Sequence, residues 1–218
     1  MGLKDIFNKL TDKVEHEVNA AMGEEGKDKL FSTENEYETE AEARAAFQKS
    51  VDKLFYVNGW SDIGGINSTF THYTHYGQPA KGKKAGVGDY IKIELPGAKI
   101  ENWVQVVNIK NDETGTEFTV RPSAKPEEKQ EPGEGEETKH FFTEEASSTF
   151  RVERIGTKII AYELGLNEVI NNDGEEAGGR GALNTLIAEG GWAFFQKLQW
   201  DKLTAYLVHK EGPDQDAD

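Results

Sequence analysis

The sequence predicts an α+β fold in which a curved antiparallel sheet of about six or seven strands packs on a long C-terminal helix, with an amphipathic helix at the N-terminus. Three observations lead there. The densest apolar stretch, Gly191 to His209 (GWAFFQKLQWDKLTAYLVH), has helical spacing and carries two of the chain's four tryptophans. Between Asn67 and Leu164 the apolar period is two, as in strands. Those strands follow one another with no helix between them, so the sheet is antiparallel rather than built from strand–helix–strand units.

Taken in order, residues 2–22 place Leu3, Phe7, Leu10, Val14 and Val18 at three- and four-residue steps, a narrow apolar seam on a helix that Gly23 stops. The polar run at 23–29, GEEGKDK, reads as a hinge. Residues 1–29 are then an N-terminal arm, 30–210 an α+β domain and 211–218 a disordered tail. Leu30 to Glu38 alternates weakly and reads as a short edge strand. Thr39 and Glu42 form a capping box, and Ala43, Ala46, Phe47, Val51, Leu54 and Phe55 line one face of the helix that follows. That helix ends near Asn58-Gly59, and Gly64-Gly65 marks a turn after Trp60.

Ser68 to Tyr76 alternates Phe70, His72, Thr74 and Tyr76 against Thr69, Thr71, Tyr73 and His75. With no strongly apolar face, it belongs at a sheet edge or beside a wet cavity. Residues 77–88, GQPAKGKKAGVG, read as a flexible connection. Ile91, Ile93 and Leu95 share a face of the next strand, which Pro96-Gly97 closes. Asn102 to Lys110 sets Val104 and Val106 against Trp103, Val107 and Ile109, which predicts burial on both faces. Phe118 and Val120 lie on a strand that Pro122 ends. The acidic run 123–139, SAKPEEKQEPGEGEETK, has almost nothing to bury and reads as a mobile loop. Phe150 and Val152 mark another strand, Gly156-Thr157 a two-residue hairpin turn, and Ile160, Tyr162 and Leu164 the returning strand, opposite Ile159 and Ala161. A glycine-rich loop at 171–181 leads to the C-terminal helix. There Trp192, Phe195, Leu198, Leu203 and Tyr206 share a broad face, and Phe194, Trp200 and Leu207 spread beyond it.

This order of elements resembles that of the START-like helix-grip fold over roughly residues 30 to 209, with Trp60 compatibly placed after the second helix. The likeness is one of element order, and it implies a strongly curved sheet gripping the terminal helix.

Formal net charge is -15, from 40 acidic and 25 basic residues. Binding a phosphate backbone draws on clustered Lys and Arg, so nucleic acid is disfavoured as a partner, and an anionic lipid surface with it. The absence of cysteine excludes disulfides, thiolate zinc sites and a cysteine nucleophile. No run approaches the ~20 apolar residues of a membrane span. The opening MGLKDIFNKLTDKV has no apolar signal core, which predicts a cytoplasmic location.

Groups that carry chemistry are sparse. On one strand His72 and His75 point to opposite faces, so a shared metal site is not expected. Glu163 and Glu168, in YELGLNE, are a carboxylate pair of the kind that serves acid–base work at the right separation, but Glu163 is expected to face solvent and Glu168 to sit in a turn. The glycine stretches lack a P-loop ending, and no serine sits in a GxSxG turn. No cofactor or metal is predicted.

Two functional readings follow. In the first, the chain is a non-enzymatic binding domain that encloses a small apolar ligand between curved sheet and C-terminal helix. Its cavity candidates are Trp60, Phe70, His72, Tyr76, Trp103, Phe150, Trp192 and Phe195. In the second, it is an interaction or structural component of a larger bacterial-type protein assembly, or self-associates, burying Leu3, Phe7, Leu10, Val14 and Trp200 against the partner. An enzyme ranks third, since no convergent catalytic set is present.

Overall fold

Seven strands form one curved sheet with the order β1-β7-β6-β5-β4-β3-β2, every pairing antiparallel. In chain order the elements are β1 (Lys29–Glu36), α1 (Glu40–Phe55), a 3-10 turn (Val57–Asp62), β2 (Thr69–Tyr73), β3 (Tyr90–Glu94), β4 (Glu101–Asn111), β5 (Gly115–Pro122), β6 (Ser147–Ile155), β7 (Lys158–Leu166) and α2 (Gly191–Leu207). The computed structural model describes residues 28–95, 101–126, 145–168 and 191–212, the side chains of 101 and 191–195 excepted. The expected N-terminal helix and hinge, most of the acidic loop, the loop at 171–181 and the last residues of the tail lie outside the described residues.

The capping box starts α1: the Thr39 hydroxyl accepts from the Glu42 N–H at 3.2 Å, and the Glu42 carboxylate accepts from the Thr39 N–H at 3.1 Å. Ala43, Ala46, Phe47, Leu54 and Phe55 are buried along one stripe, which packs on the sheet. Trp60 follows in the 3-10 turn. Its ring centroid lies 5.6 Å from that of Phe70, 5.9 Å from Phe118 and 5.0 Å from Phe150, and its indole N–H donates to the Lys53 carbonyl. The two helices and the sheet's inner face thus meet on one aromatic cluster.

β1 and β2 occupy the two edges. The half-polar face of β2 has its explanation there, since an edge strand need not present a continuous apolar face. β2 is shorter than the alternation implied, because the chain leaves the sheet after Tyr73 and turns through Gly77, whose φ of 76° favours glycine. The connection at 77–88 is not loose. Ala80 and Ala85 are buried, and backbone bonds tie Ala80 to His72, Ala85 to Phe55 and Gly88 to Val106.

β4 also departs from its simple pattern. A bulge between Val106 and Asn108 shifts the register, so that Ile109 comes opposite Phe118 and packs against the core while Val107 is exposed. Strict alternation predicted burial on both faces; Trp103 on one face and Val106 on the other are buried, and the extra residue moves Ile109 to the core side and leaves Val107 exposed. Ser123, expected to open the mobile loop, is buried and donates its N–H to the Trp103 carbonyl.

On α2 the buried stripe is Gln196, Gln199, Trp200, Leu203 and Leu207, with Thr204 and Tyr206 beside it. Leu198, assigned to the apolar face, is 38% exposed. Two buried glutamines displaced the stripe from where the apolar residues alone put it. The C-terminal end of α2 is clasped to α1: Lys53 Nζ donates to the Tyr206 carbonyl at 2.8 Å, and His209 Nε2 lies 3.0 Å from the Ala46 carbonyl and 3.1 Å from Ser50 Oγ. Thr33 and Asn35 of β1 hold it from the sheet side, through Thr204 and the Val208 carbonyl.

Candidate functional site

Between the inner face of the sheet and α2 lies a partly open cavity of about 90 Å³. Its apolar wall is made by Trp60, Phe70, Ile91, Ile93, Phe150 and Trp200, which the core places on four different elements and the 3-10 turn. Asn102, Ser147, Ser148, Glu168, Gln196 and Gln199 add polar groups to its lining. An apolar wall with a few placed polar groups is the usual composition of a small-ligand pocket.

The polar end is built from Ser148 on β6, Glu168 just past the end of β7, and Gln196 and Gln199 on α2. Glu168 accepts from Ser148 Oγ at 3.1 Å through one oxygen and from Gln196 Nε2 at 3.0 Å through the other. Gln196 Oε1 in turn accepts from Lys29 Nζ at 2.5 Å, and Ser68 Oγ donates to Gln199 Oε1 at 2.5 Å. Gly165 makes room for this arrangement, because a Cβ there would collide with the Glu168 carboxylate. Burial pushes the Glu168 carboxyl above the usual carboxylate range, against the pull of Gln196, Lys29 and Ser148.

Glu163 stands beside this end. It shares a face of β7 with Ile159 and Ala161, both core residues, and pairs across the ladder with Phe150, a wall residue. The side chain is completely buried, and neither carboxyl oxygen has a hydrogen-bond partner among the described residues. Burial pushes its carboxyl well above the ordinary range, the Glu168 charge adds to that, and Lys29 and Ser148 oppose it. Among the described residues, two buried polar atoms of the cavity lining lack partners: Trp200 Nε1 and Asn102 Oδ1.

Of the residues expected to line a cavity, Trp60, Phe70, Trp103 and Phe150 do so. His72 and Tyr76 do not. His72 is buried with Nε2 2.9 Å from Asp89 Oδ2, while Tyr76 is 77% exposed and lies against the His75 ring at a tilt of 45°. The two histidines expected on opposite faces both reach Asp89, which accepts from the His75 N–H at 2.9 Å, because the strand ends before His75. Among the described residues, however, no three His, Cys, Asp or Glu side chains are grouped to hold a metal ion. Trp200, expected at a partner surface, is buried in the cavity wall. The side chains of Trp192 and Phe195, and Leu3, Phe7, Leu10 and Val14 entirely, lie outside the described residues.

The polar set is what sequence reasoning missed. Glu163 was expected in solvent and Glu168 in an ordinary turn; both are buried. A signal existed for the first, since Ile159, Ala161 and Glu163 share one parity on β7. Nothing in the sequence pointed to Gln196 and Gln199 as inward-facing.

On the outer face of the sheet, Arg151 donates to Glu117 at 3.1 Å and, in a fork, to Glu153 at 3.1 and 3.0 Å, and the Tyr162 hydroxyl donates to Glu153 at 2.7 Å. These bonds knit β5, β6 and β7 together. No described helix is long and apolar enough to cross a membrane.

No protein-family model matches the chain, and no curated protein matches its sequence. Solved structures that are similar include a hypothetical protein of Helicobacter pylori, 13% identical with a TM-score of 0.47, the match covering 82% of this chain and 85% of that one. Another is the major latex-like protein 151 of Panax ginseng, 10% identical with a TM-score of 0.39, covering 83% of this chain and 98% of that one. A third is the extracellular domain of PknH from Mycobacterium tuberculosis, 11% identical with a TM-score of 0.35; there the match covers 87% of this chain and only 60% of the other.

Proposed function

We propose that the chain is a binding domain that holds a small, largely apolar ligand between the curved sheet and the C-terminal helix. The observation that carries this reading is the cavity itself, walled by aromatic and aliphatic side chains and lined by buried polar groups, two of which have free hydrogen-bonding capacity. Its volume of about 90 Å³ is below the ~150 Å³ of a cavity that takes up benzene, so a ring-sized ligand must use the open side or move a wall residue.

Saturation-transfer NMR with toluene tests the reading. Wild-type protein should transfer saturation to toluene in a saturable, one-to-one manner, and Ala146→Phe, which fills the cavity from a lining position that is 1% exposed, should abolish it while the protein stays folded. Equal transfer from the filled variant, or none from the wild type, defeats the reading.

A further inference from the structure

The two open hydrogen-bonding atoms of the cavity lining are of opposite kind. Asn102 Oδ1, on β4, is an acceptor, and Trp200 Nε1, on α2, is a donor; both are buried, and neither has a partner among the described residues. Buried polar atoms are ordinarily paired, so an unpaired donor and an unpaired acceptor in the wall of one cavity mark what its occupant supplies. The polar end of the same cavity is already bonded. Ser148 and Gln196 donate to Glu168, Gln196 accepts from Lys29, and Gln199 accepts from Ser68. Glu168 is the one ionisable side chain among the described lining residues, and both of its oxygens are engaged in those bonds. Glu163 has no partner but is not part of the lining, so it makes no demand on an occupant. An ion of either sign therefore finds no uncommitted counter-charge in the lining, and an unpaired buried charge is costly.

Resting on the cavity reading above, we propose that the ligand is an uncharged alcohol, a small apolar body with a hydroxyl that donates to Asn102 Oδ1 and accepts from Trp200 Nε1. A hydroxyl is the smallest uncharged group that does both, which suits a cavity of about 90 Å³. An ether or a ketone supplies only the acceptor and leaves Asn102 Oδ1 unpaired; a hydrocarbon leaves both atoms unpaired. Because both atoms are buried, the bonds form away from competing water, and the site separates ligands of similar shape by whether they carry the hydroxyl hydrogen.

The test titrates the full chain at pH 7, by NMR chemical shift, with probes of similar size: benzyl alcohol, its isomer anisole, which accepts but cannot donate, toluene, benzylamine and benzoate. Benzyl alcohol should bind at least about threefold more tightly than anisole or toluene, within the roughly two- to tenfold that one net hydrogen bond supplies, and at least about tenfold more tightly than either ion. Asn102→Leu removes the acceptor and should bring benzyl alcohol to within about twofold of anisole. Trp200→Phe removes the donor but keeps a ring, and should bring anisole to within about twofold of toluene. Toluene affinity in each variant reports that the cavity is intact, and the wild-type ranking needs no variant. Anisole, benzylamine or benzoate binding the wild type as tightly as the alcohol, or an alcohol-to-anisole ratio that Asn102→Leu does not move, overturns the proposal. If toluene binds and the alcohol has no advantage, only this proposal falls; if toluene does not bind either, the cavity reading has failed as well.

Discussion

Replacing Glu163 by Gln should stabilise the protein, and by an amount that grows with pH. The carboxyl is completely buried without a partner among the described residues, and burial, with the Glu168 charge, raises its pKa in the folded state. A raised folded pKa means that the group's contribution is fully present below the unfolded value of ~4.3 and is lost as pH rises toward the folded value. Within that window the loss is at most about 1.4 kcal/mol per pH unit, or up to about 2.7 kcal/mol between pH 5 and pH 7. Glutamine cannot ionise and keeps the volume, so the variant escapes this term. For a chain of this length each kcal/mol is about 2 to 4 °C in Tm, so the advantage of the variant should widen by up to about 5 to 11 °C across those two units. Thermal unfolding followed by circular dichroism at pH 5, 6 and 7 measures it. Glu168 is raised by burial in both proteins, so the difference between them reports Glu163. Parallel Tm curves, or a variant less stable at pH 7 than the wild type, would refute the reasoning.

Three further outcomes follow from other parts of the molecule. Burial holds the His209 imidazole below its usual pKa of ~6.5, against the bond to the Ala46 carbonyl and with help from Lys53 and Lys49. Its contribution is therefore present above about pH 6.5 and lost as pH falls through the folded value, and His209→Gln should flatten the drop in urea midpoint that the wild type shows between pH 7.5 and 5.5. Trp60→Ala should cost roughly 3 to 5 kcal/mol, because Trp60 is packed against Phe70, Phe118 and Phe150 and its indole N–H is bonded to Lys53, whereas Trp200→Ala should cost less, since it also removes a buried indole N–H without a partner among the described residues. Urea denaturation of both variants decides this, and equal costs would contradict it. Thr39→Ala removes half of the capping box and should lower stability by about 1 kcal/mol, with Thr39→Asn recovering most of it.

The sheet was legible in the sequence because its strands carry their apolar side chains on one parity. Phe118 and Val120, Phe150 and Val152, and Ile159 and Ala161 all fall on the inner face, and the Gly156-Thr157 turn fixes the β6–β7 register. The capping box at Thr39 was equally legible, because both of its bonds are local. Reading failed wherever a local irregularity or a distant partner decided the outcome. The bulge at Val107 reversed the parity of Ile109, and the exit of the chain after Tyr73 brought His72 and His75 to the same carboxylate. The polar end of the cavity was hidden for a related reason. Glu163 and Glu168 read as surface residues by type, and only the packing of β7 against α2 through Lys29, Ser148 and Gln196 makes them interior. The aromatic wall was half legible: Trp60, Phe70, Trp103 and Phe150 were picked out as lining residues, but Trp200 was assigned to an external surface because two glutamines, not apolar residues, continue its stripe along α2.

Diffraction from a crystal held under xenon pressure tests the central claim most directly, since xenon enters dry apolar cavities and leaves wet ones. The account predicts a xenon atom bounded by Phe150, Val120 and Trp200, displaced when toluene is soaked in. A chain of ordered waters filling the same space, with no xenon at any pressure the crystal survives, would contradict it.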